Sequence, residues 1–307
     1  MISFRYIFVN SLLVGAVTLG GYSMAQKHGH METGSTVSAI EVHGHRGSRG
    51  THPENTLPAF QEAVESGAEV LELDLQLTKD DVPVISHDPE IGALCNDEKG
   101  QPVTTRIPIR TLTFAEIQKF DCGSRPNPKF PEQKAVPSKF TSLEQFLVWA
   151  KKHALKLAYN IETKMTAPRE ELIAPPKLFA KTVEQLLRKH GAIDKTILQS
   201  FDFRTLREAK TLNPKLRLSC LFENTPNFCD ATANERAAFA SPDWQSVTPE
   251  EVKRCHQLGI KVAPWTANSE DSWNKMVQCN VDAIITDYPR KLVDYLKAHP
   301  AKKSEKM

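Results

Sequence analysis

Short apolar runs recur along the chain, alternating or continuous in pattern: "AIEVHGH", "EVLELDLQL", "VPVISHD", "LKLAYNIE", "TILQSF", "LRLSCLF", "IKVAPWT" and "DAIITD". Runs of this length predict strands, several of them buried on both faces. Between most of them, apolar residues return every three to four positions. That period predicts amphipathic helices over Leu57 to Ser66, Thr141 to Ala154, Leu178 to His190, Phe203 to Leu212, Thr248 to Leu258 and Glu270 to Asn280. Ser142 with Gln145 and Thr248 with Glu251 have capping-box spacing, and Pro249 stands at a first helical position. Strand-helix alternation predicts a parallel sheet, and about eight strands predict closure into a (β/α) barrel.

One connection breaks the alternation. "TKDD", between "LELDLQL" and "VPVISHD", is too short for a crossover helix, so these two strands should form an antiparallel hairpin. A turn centred on Asp80 and Asp81 would place His87 opposite Asp74. The stretch from about Gly92 to Phe140 is Pro-rich and irregular, with one short helical pattern from Phe114 to Phe120, and is expected to form an excursion over one end of the barrel.

The N-terminus changes the picture of where the chain works. "MISFRYIFVNSLLVGAVTLGGYSMAQ" has one early cation, an apolar run and a small-x-small site ending at Ala25, so residues 1–25 are expected to form a cleaved secretory signal. The apolar run is shorter than the ~20 residues a bilayer requires, so no membrane insertion is expected after cleavage. Residues 26–37 form a polar linker and 300–307 a charged tail. The protein is thus expected to be exported, periplasmic or secreted. Its six cysteines can then form disulfides, for which Cys95–Cys122 and Cys220–Cys229 are the expected pairs. A net charge of +2 implies no general attraction to nucleic acid. The oligomeric state is not encoded in any feature of the sequence.

Candidate chemistry follows from the strand pattern. Glu72 and Asp74 are two apart in a strand and project to one face while Leu71, Leu73 and Leu75 take the other. Two neighbouring buried anions call for a cation between them. Glu162 ends another strand and could complete an all-oxygen site that suits Ca²⁺ or Mg²⁺ rather than zinc. His45 and His87 each follow a strand, and a pair of imidazoles beside one site allows one to accept a proton while the other donates. His43 shares the strand face of His45 and competes with it on alternation alone. Arg46 and Lys164 could hold a phosphate, or else pair with the same carboxylates.

These residues lie in "HRGSRGTHPENTLPAF", "VLELDLQLTKDDVPVISHD", "NIETK", "QSFD", "PWTAN" and "VDAIITDYP". In order and spacing these motifs resemble those of bacterial glycerophosphodiester phosphodiesterases, from about Glu41 to about Leu296. The resemblance implies a distorted (β/α)8 TIM barrel over residues 38–299, with a small irregular insertion after the HD motif, at about 92–140. It implies metal-dependent hydrolysis of a small-molecule phosphodiester to sn-glycerol 3-phosphate and an alcohol. By position it makes His45, rather than His43, and His87 the acid/base pair, and Glu72, Asp74 and Glu162 the ligands of a divalent cation. It places Arg46 and Lys164 on the phosphate and Glu54 and Asn55 at the site. Asp81 and Ala283 stand where glycine is usual. Two other activities compete: a lysophospholipase D-like reaction, for which Phe120, Phe130 and Trp265 could line an apolar mouth, and capture of phosphodiesters or calcium by an exported binding protein.

Overall fold

The computed structural model of the protein describes residues 40–154, 156–165 and 172–299. The expected signal segment, linker and charged tail lie outside the described residues. In chain order the elements are β1 (Glu41–Gly44), α1 (Leu57–Glu65), β2 (Val70–Leu77), β3 (Pro83–Ile85), β4 (Glu90–Ile91), β5 (Ile107–Pro108), α2 (Phe114–Ile117), α3 (Leu143–His153), β6 (Ala158–Thr163) and α4 (Pro176–Lys189). They continue with β7 (Thr196–Ser200), α5 (Phe203–Leu212), β8 (Arg217–Phe222), α6 (Phe228–Asn234), β9 (Phe239–Pro242), α7 (Pro249–Gln257), β10 (Lys261–Val262), α8 (Glu270–Gln278), β11 (Ala283–Thr286) and α9 (Pro289–Ala298).

Strands β10-β9-β8-β7-β6-β2-β1-β11 pair side by side, all parallel, and the two ends of this row meet. Asp282 N donates to Val262 O at 3.0 Å and Ile285 N to Pro264 O at 2.9 Å, which closes the row into a TIM barrel. Parallel strands inside a ring of helices are covered on both faces, and all of β2 is buried. Leu71, Leu73 and Leu75 belong to the large apolar core that also contains Phe60 of α1 and Phe146 of α3. Those two rings meet edge-on at 5.0 Å.

The eight strands read from the sequence are not the eight of the barrel. β3 pairs antiparallel with β2 outside the row, whereas β9, "FASP", was not among the expected strands. Four residues with one proline and one serine carry too little periodicity to be seen. Helices α6 and α9 are likewise additions to the expected set.

The hairpin register differs by one residue from that expected. Leu75 pairs with Ile85, so Ser86 stands opposite Asp74, its N–H donating to Asp74 O at 3.0 Å. The loop holds three residues rather than two, because Thr78 N bonds Val82 O and Asp81 adopts φ 61°. A left-handed residue after a tight turn adds one position to one strand, and Asp81 takes that place.

The cysteine pairing also needs correction. Cys95–Cys122 forms, but Cys229 pairs with Cys255, while Cys220 and Cys279 are buried free thiols. Cys220 lies within a barrel strand, whereas Cys229 begins α6, which packs on α7 where Cys255 lies. Proximity in sequence was a poor guide to proximity in space. Of the two expected capping boxes, the one at Ser142 and Gln145 is complete. At Thr248 the hydroxyl accepts from Glu251 N, but the Glu251 carboxylate accepts from Cys229 N instead.

The segment after β3 builds a small core of its own from Ile91, Cys95, Val103, Ile109 and Ile117 against Val84. Its far end covers the loop between β1 and α1: Gln133 Nε2 donates to Arg49 O and His52 O, both at 2.8 Å, and Lys134 N to Thr51 O at 2.8 Å. That loop turns back on Gly47, at φ 83°, where an added Cβ would lie 2.5 Å from the Ala59 carbonyl carbon. Gly47→Ala is therefore expected to destabilise the protein by about 2 kcal/mol or more, and a melting temperature equal to that of the parent protein would contradict this packing.

Candidate active site

The mouth of the barrel is a cavity of about 320 Å³, lined by His45, Arg46, Arg49, Glu72, His87, Glu162, Lys164, Gln199, Phe201, Leu221, Glu223, Trp265, Thr266 and Ile285. Its charged groups come from strand ends on the carboxyl side, where parallel barrels gather them. Glu72 and Asp74 point inward from β2, and Asp74 is in register with Glu162 of the neighbouring β6. One oxygen from each of Glu72, Asp74 and Glu162 lies within 4.8 Å of the others, and all three side chains are buried.

Each carboxylate is held differently. Glu72 accepts from Arg46 N at 2.7 Å and from Gln199 Nε2 at 2.9 Å, and the Gln199 carbonyl in turn accepts from Asn160 Nδ2 at 2.9 Å. Burial, then the charges of Asp74 and Glu162, push the Glu72 carboxyl well above its usual range. Burial also raises Glu162, to about 7, against the opposing pull of Lys164. Asp74 goes the other way: although burial works against ionisation, Arg46, His87 and Lys164 hold it well below the ordinary carboxylate value. Asp74 Oδ2 accepts from Asn55 Nδ2 at 2.8 Å, while Asp74 Oδ1 has no hydrogen-bond donor. Lys164 Nζ, 3.9 Å away, is the cation nearest that oxygen, and a buried carboxylate oxygen without a hydrogen bond, beside two further carboxylates, calls for more positive charge. The donor set is all oxygen, which fits a hard divalent cation.

The cations at the site are already engaged. Arg46 adopts φ 51°, which turns its N–H onto Glu72 while its guanidinium lies 2.8 Å from Glu54 and 3.2 Å from Asp74. Lys164 Nζ lies 2.8 Å from Glu162 Oε1. Both residues therefore make ion pairs within the site, and both also line the cavity.

The two histidines are held unequally. His45 Nδ1 is 2.7 Å from Asp287 Oδ1, and Asn268 Nδ2 donates to Asp287 Oδ2 at 2.7 Å. A carboxylate on Nδ1 fixes the proton there and leaves Nε2 as a lone-pair acceptor toward the cavity. Burial lowers the affinity of His45 for a second proton, with Asp287 opposing and Arg46 assisting. His87 Nδ1 is 2.8 Å from Asp88 Oδ1 in a half-exposed setting.

A match to the Glycerophosphoryl diester phosphodiesterase family spans residues 45–291, covering these strands and loops. The chain belongs to that family. A glycerophosphodiester phosphodiesterase of Caldanaerobacter subterraneus is 30% identical over 257 residues, covering 83% of this chain and 97% of its relative. One from Bacillus subtilis is 32% identical over 258 residues, covering 80% and 82%. The solved structure of a Silicibacter pomeroyi protein assigned as a glycerophosphoryl diester phosphodiesterase superposes with a TM-score of 0.79 at 28% identity, covering 85% of this chain and 94% of that one.

Against the motifs that suggested the family, the structure brings His45, His87, Arg46, Lys164, Glu72 and Glu162 to one cavity with Asp74 beneath them. His43 is buried and does not line it. Glu54 lies on Arg46 and on Arg49 at 2.8 Å rather than among the three carboxylates. Asn55 is turned away from the cavity onto Asp74. Of the three aromatics considered for an apolar mouth, only Trp265 lines the cavity, edge-on to Phe201 at 5.6 Å. Phe120 packs into the small core of the insertion and Phe130 lies under Arg49. Asp287, Asn268, Gln199 and Arg49 were not singled out as functional, although all four stand inside quoted motifs.

Proposed function

We propose that the chain hydrolyses glycerophosphodiesters to sn-glycerol 3-phosphate and an alcohol, by histidine acid/base catalysis at a divalent-cation site. The observation that carries this reading is the placement of His45 and His87 on one cavity with a triad of buried carboxylates, in which Asp74 Oδ1 has no hydrogen-bond donor. Membership of the family makes the chain a phosphoric diester hydrolase. Glu72, Asp74 and Glu162 would hold Ca²⁺ or Mg²⁺, which would supply Lewis-acid positive charge for the phosphate.

The remaining work falls to side chains of the cavity. Arg46 and Lys164, each anchored on a carboxylate, turn their free N–H groups toward the phosphate. Phe201 and Trp265 give the glycerol carbons an apolar wall. His45, neutral and with Nε2 free, takes the proton from the attacking hydroxyl, whether of water or of the neighbouring glycerol carbon. His87 gives its proton to the leaving alkoxide. The capture-only reading leaves the Asp287–His45 pair without a task.

The two disulfides agree with an exported protein in an oxidising compartment. The test is incubation of the full chain with glycerophosphocholine and added Ca²⁺ or Mg²⁺, with the products identified. Equal amounts of sn-glycerol 3-phosphate and choline are expected. Release of phosphocholine and glycerol would place the cut on the other side of phosphorus and overturn the reading.

A further inference from the structure

A second cavity, of about 280 Å³, opens beside the first, and among the described residues His87 alone lines both. Its walls come from β3 and from the insertion: Ile85, Ile91, Leu94, Phe140 and the Cys95–Cys122 bridge. The charged groups around it have partners. Asp88 is on His87, Glu54 on Arg46 and Arg49, Arg106 lies 3.7 Å from Glu90, and Lys139 Nζ donates to Lys119 O at 2.8 Å. With these charges paired, most of the surface that the cavity offers a ligand is apolar. Its volume is slightly below the roughly 300–1,000 Å³ of pockets that enclose drug-sized ligands.

We infer that this cavity is the subsite for the departing alcohol, and that it selects compact uncharged alkyl alcohols over charged or polyhydroxylated ones. The inference rests on the proposed function and deepens it. When the phosphorus-oxygen bond to the alcohol breaks, the electron pair leaves with that oxygen, which takes the His87 proton, while the attacking oxygen bonds phosphorus and loses its proton to His45. The group that accepts the His87 proton must lie on the His87 side of phosphorus. The cavity there belongs to the insertion, and the glycerol phosphate stays within the barrel. Leu94 lines this cavity and is 39% exposed, so an alkyl group there would cover apolar surface that water now touches.

The test is a series of sn-glycerol 3-phosphate esters of methanol, ethanol, propanol, butanol, hexanol, choline and glycerol, all assayed for sn-glycerol 3-phosphate. These simple alkanols differ little as leaving groups, so the series reports binding. From methyl to butyl, kcat/KM is expected to rise about three- to fourfold per methylene, the value of burying one CH₂, and then to level off as the cavity fills. The butyl ester should exceed the choline and glycerol esters. In L94S/F140S the series should flatten while methyl-ester turnover stays within about twofold, with an unchanged melting temperature showing that the fold persists. Equal kcat/KM across the series, preference for choline or glycerol, or a rise that continues undiminished from butyl to hexyl would each overturn the subsite while leaving the hydrolase reading standing. Failure to cleave any ester would bring down that reading and the subsite with it.

Discussion

His45→Ala is expected to lower kcat by about 10²–10⁴-fold, the usual contribution of one positioned proton-transfer group. Asp287→Asn should fall within the same range although it leaves the imidazole in place. Asp287 sets which ring nitrogen carries the proton, and an amide can present either an acceptor or a donor to Nδ1, so the lone pair on Nε2 is no longer assured. A second readout separates this role from simple support. Burial lowers the His45 pKa and Asp287 raises it, so the group is unprotonated above pH 6.5 in the parent, and removing the carboxylate moves its pKa further down. The acid limb of the kcat/KM profile should therefore lie below that pH and shift to lower pH in Asp287→Asn. Both variants should keep the parent's melting temperature within a few degrees. A His45→Ala protein that turns over at near-normal rate, or an Asp287→Asn profile identical to the parent's, would remove His45 from the role of base.

The second large effect concerns the three carboxylates. EDTA is expected to abolish turnover, with recovery on adding back Ca²⁺ or Mg²⁺, and the cation should stabilise the fold in a pH-dependent way. Burial raises Glu162 to about 7 from an ordinary 4.5, and Glu72 is raised as well. A carboxyl whose folded pKa exceeds its unfolded one retains a proton that the unfolded chain releases. Between these two values the cation-free protein therefore loses stability as pH rises. A bound cation replaces that proton, so its affinity should increase as pH climbs through 7. At a cation concentration about 100 times Kd the gain is ~2.7 kcal/mol, roughly 5–10 °C in melting temperature, and it should be larger at pH 8 than at pH 6. A melting curve that ignores both cation and chelator at pH 8 would contradict a cation site at these residues.

The candidate site was legible where chemistry follows a short-range period. In "ELD" the two-residue period of a strand was enough to put Glu72 and Asp74 on one face, and the runs ending at His45 and Glu162 marked strand ends where a barrel collects its functional groups. The residues that complete the site were less visible. Gln199 reaches Glu72 from 127 positions away and Asp287 reaches His45 from 242. Each stands in a recognisable motif, but nothing in the local pattern says which side chain across the barrel it will meet. The barrel itself was anticipated with one strand wrongly included and another overlooked: β3 showed clear apolar alternation and stayed outside the row, while β9 has almost none and is part of it.

The chain's own order of apolar and polar residues determined the strand-helix alternation, the barrel class, the inward face of β2 and the family motifs. These depend on neighbours two to four positions apart, which share one strand face or one helix stripe whatever the rest of the molecule does. The tertiary structure decided the closure between β10 and β11, the one-residue shift of the β2–β3 hairpin, the pairing of Cys229 with Cys255, and the carboxylate that orients His45. Each is a choice among distant partners, settled by how helices and strands pack once the core is dry, and side-chain periodicity carries no record of that choice.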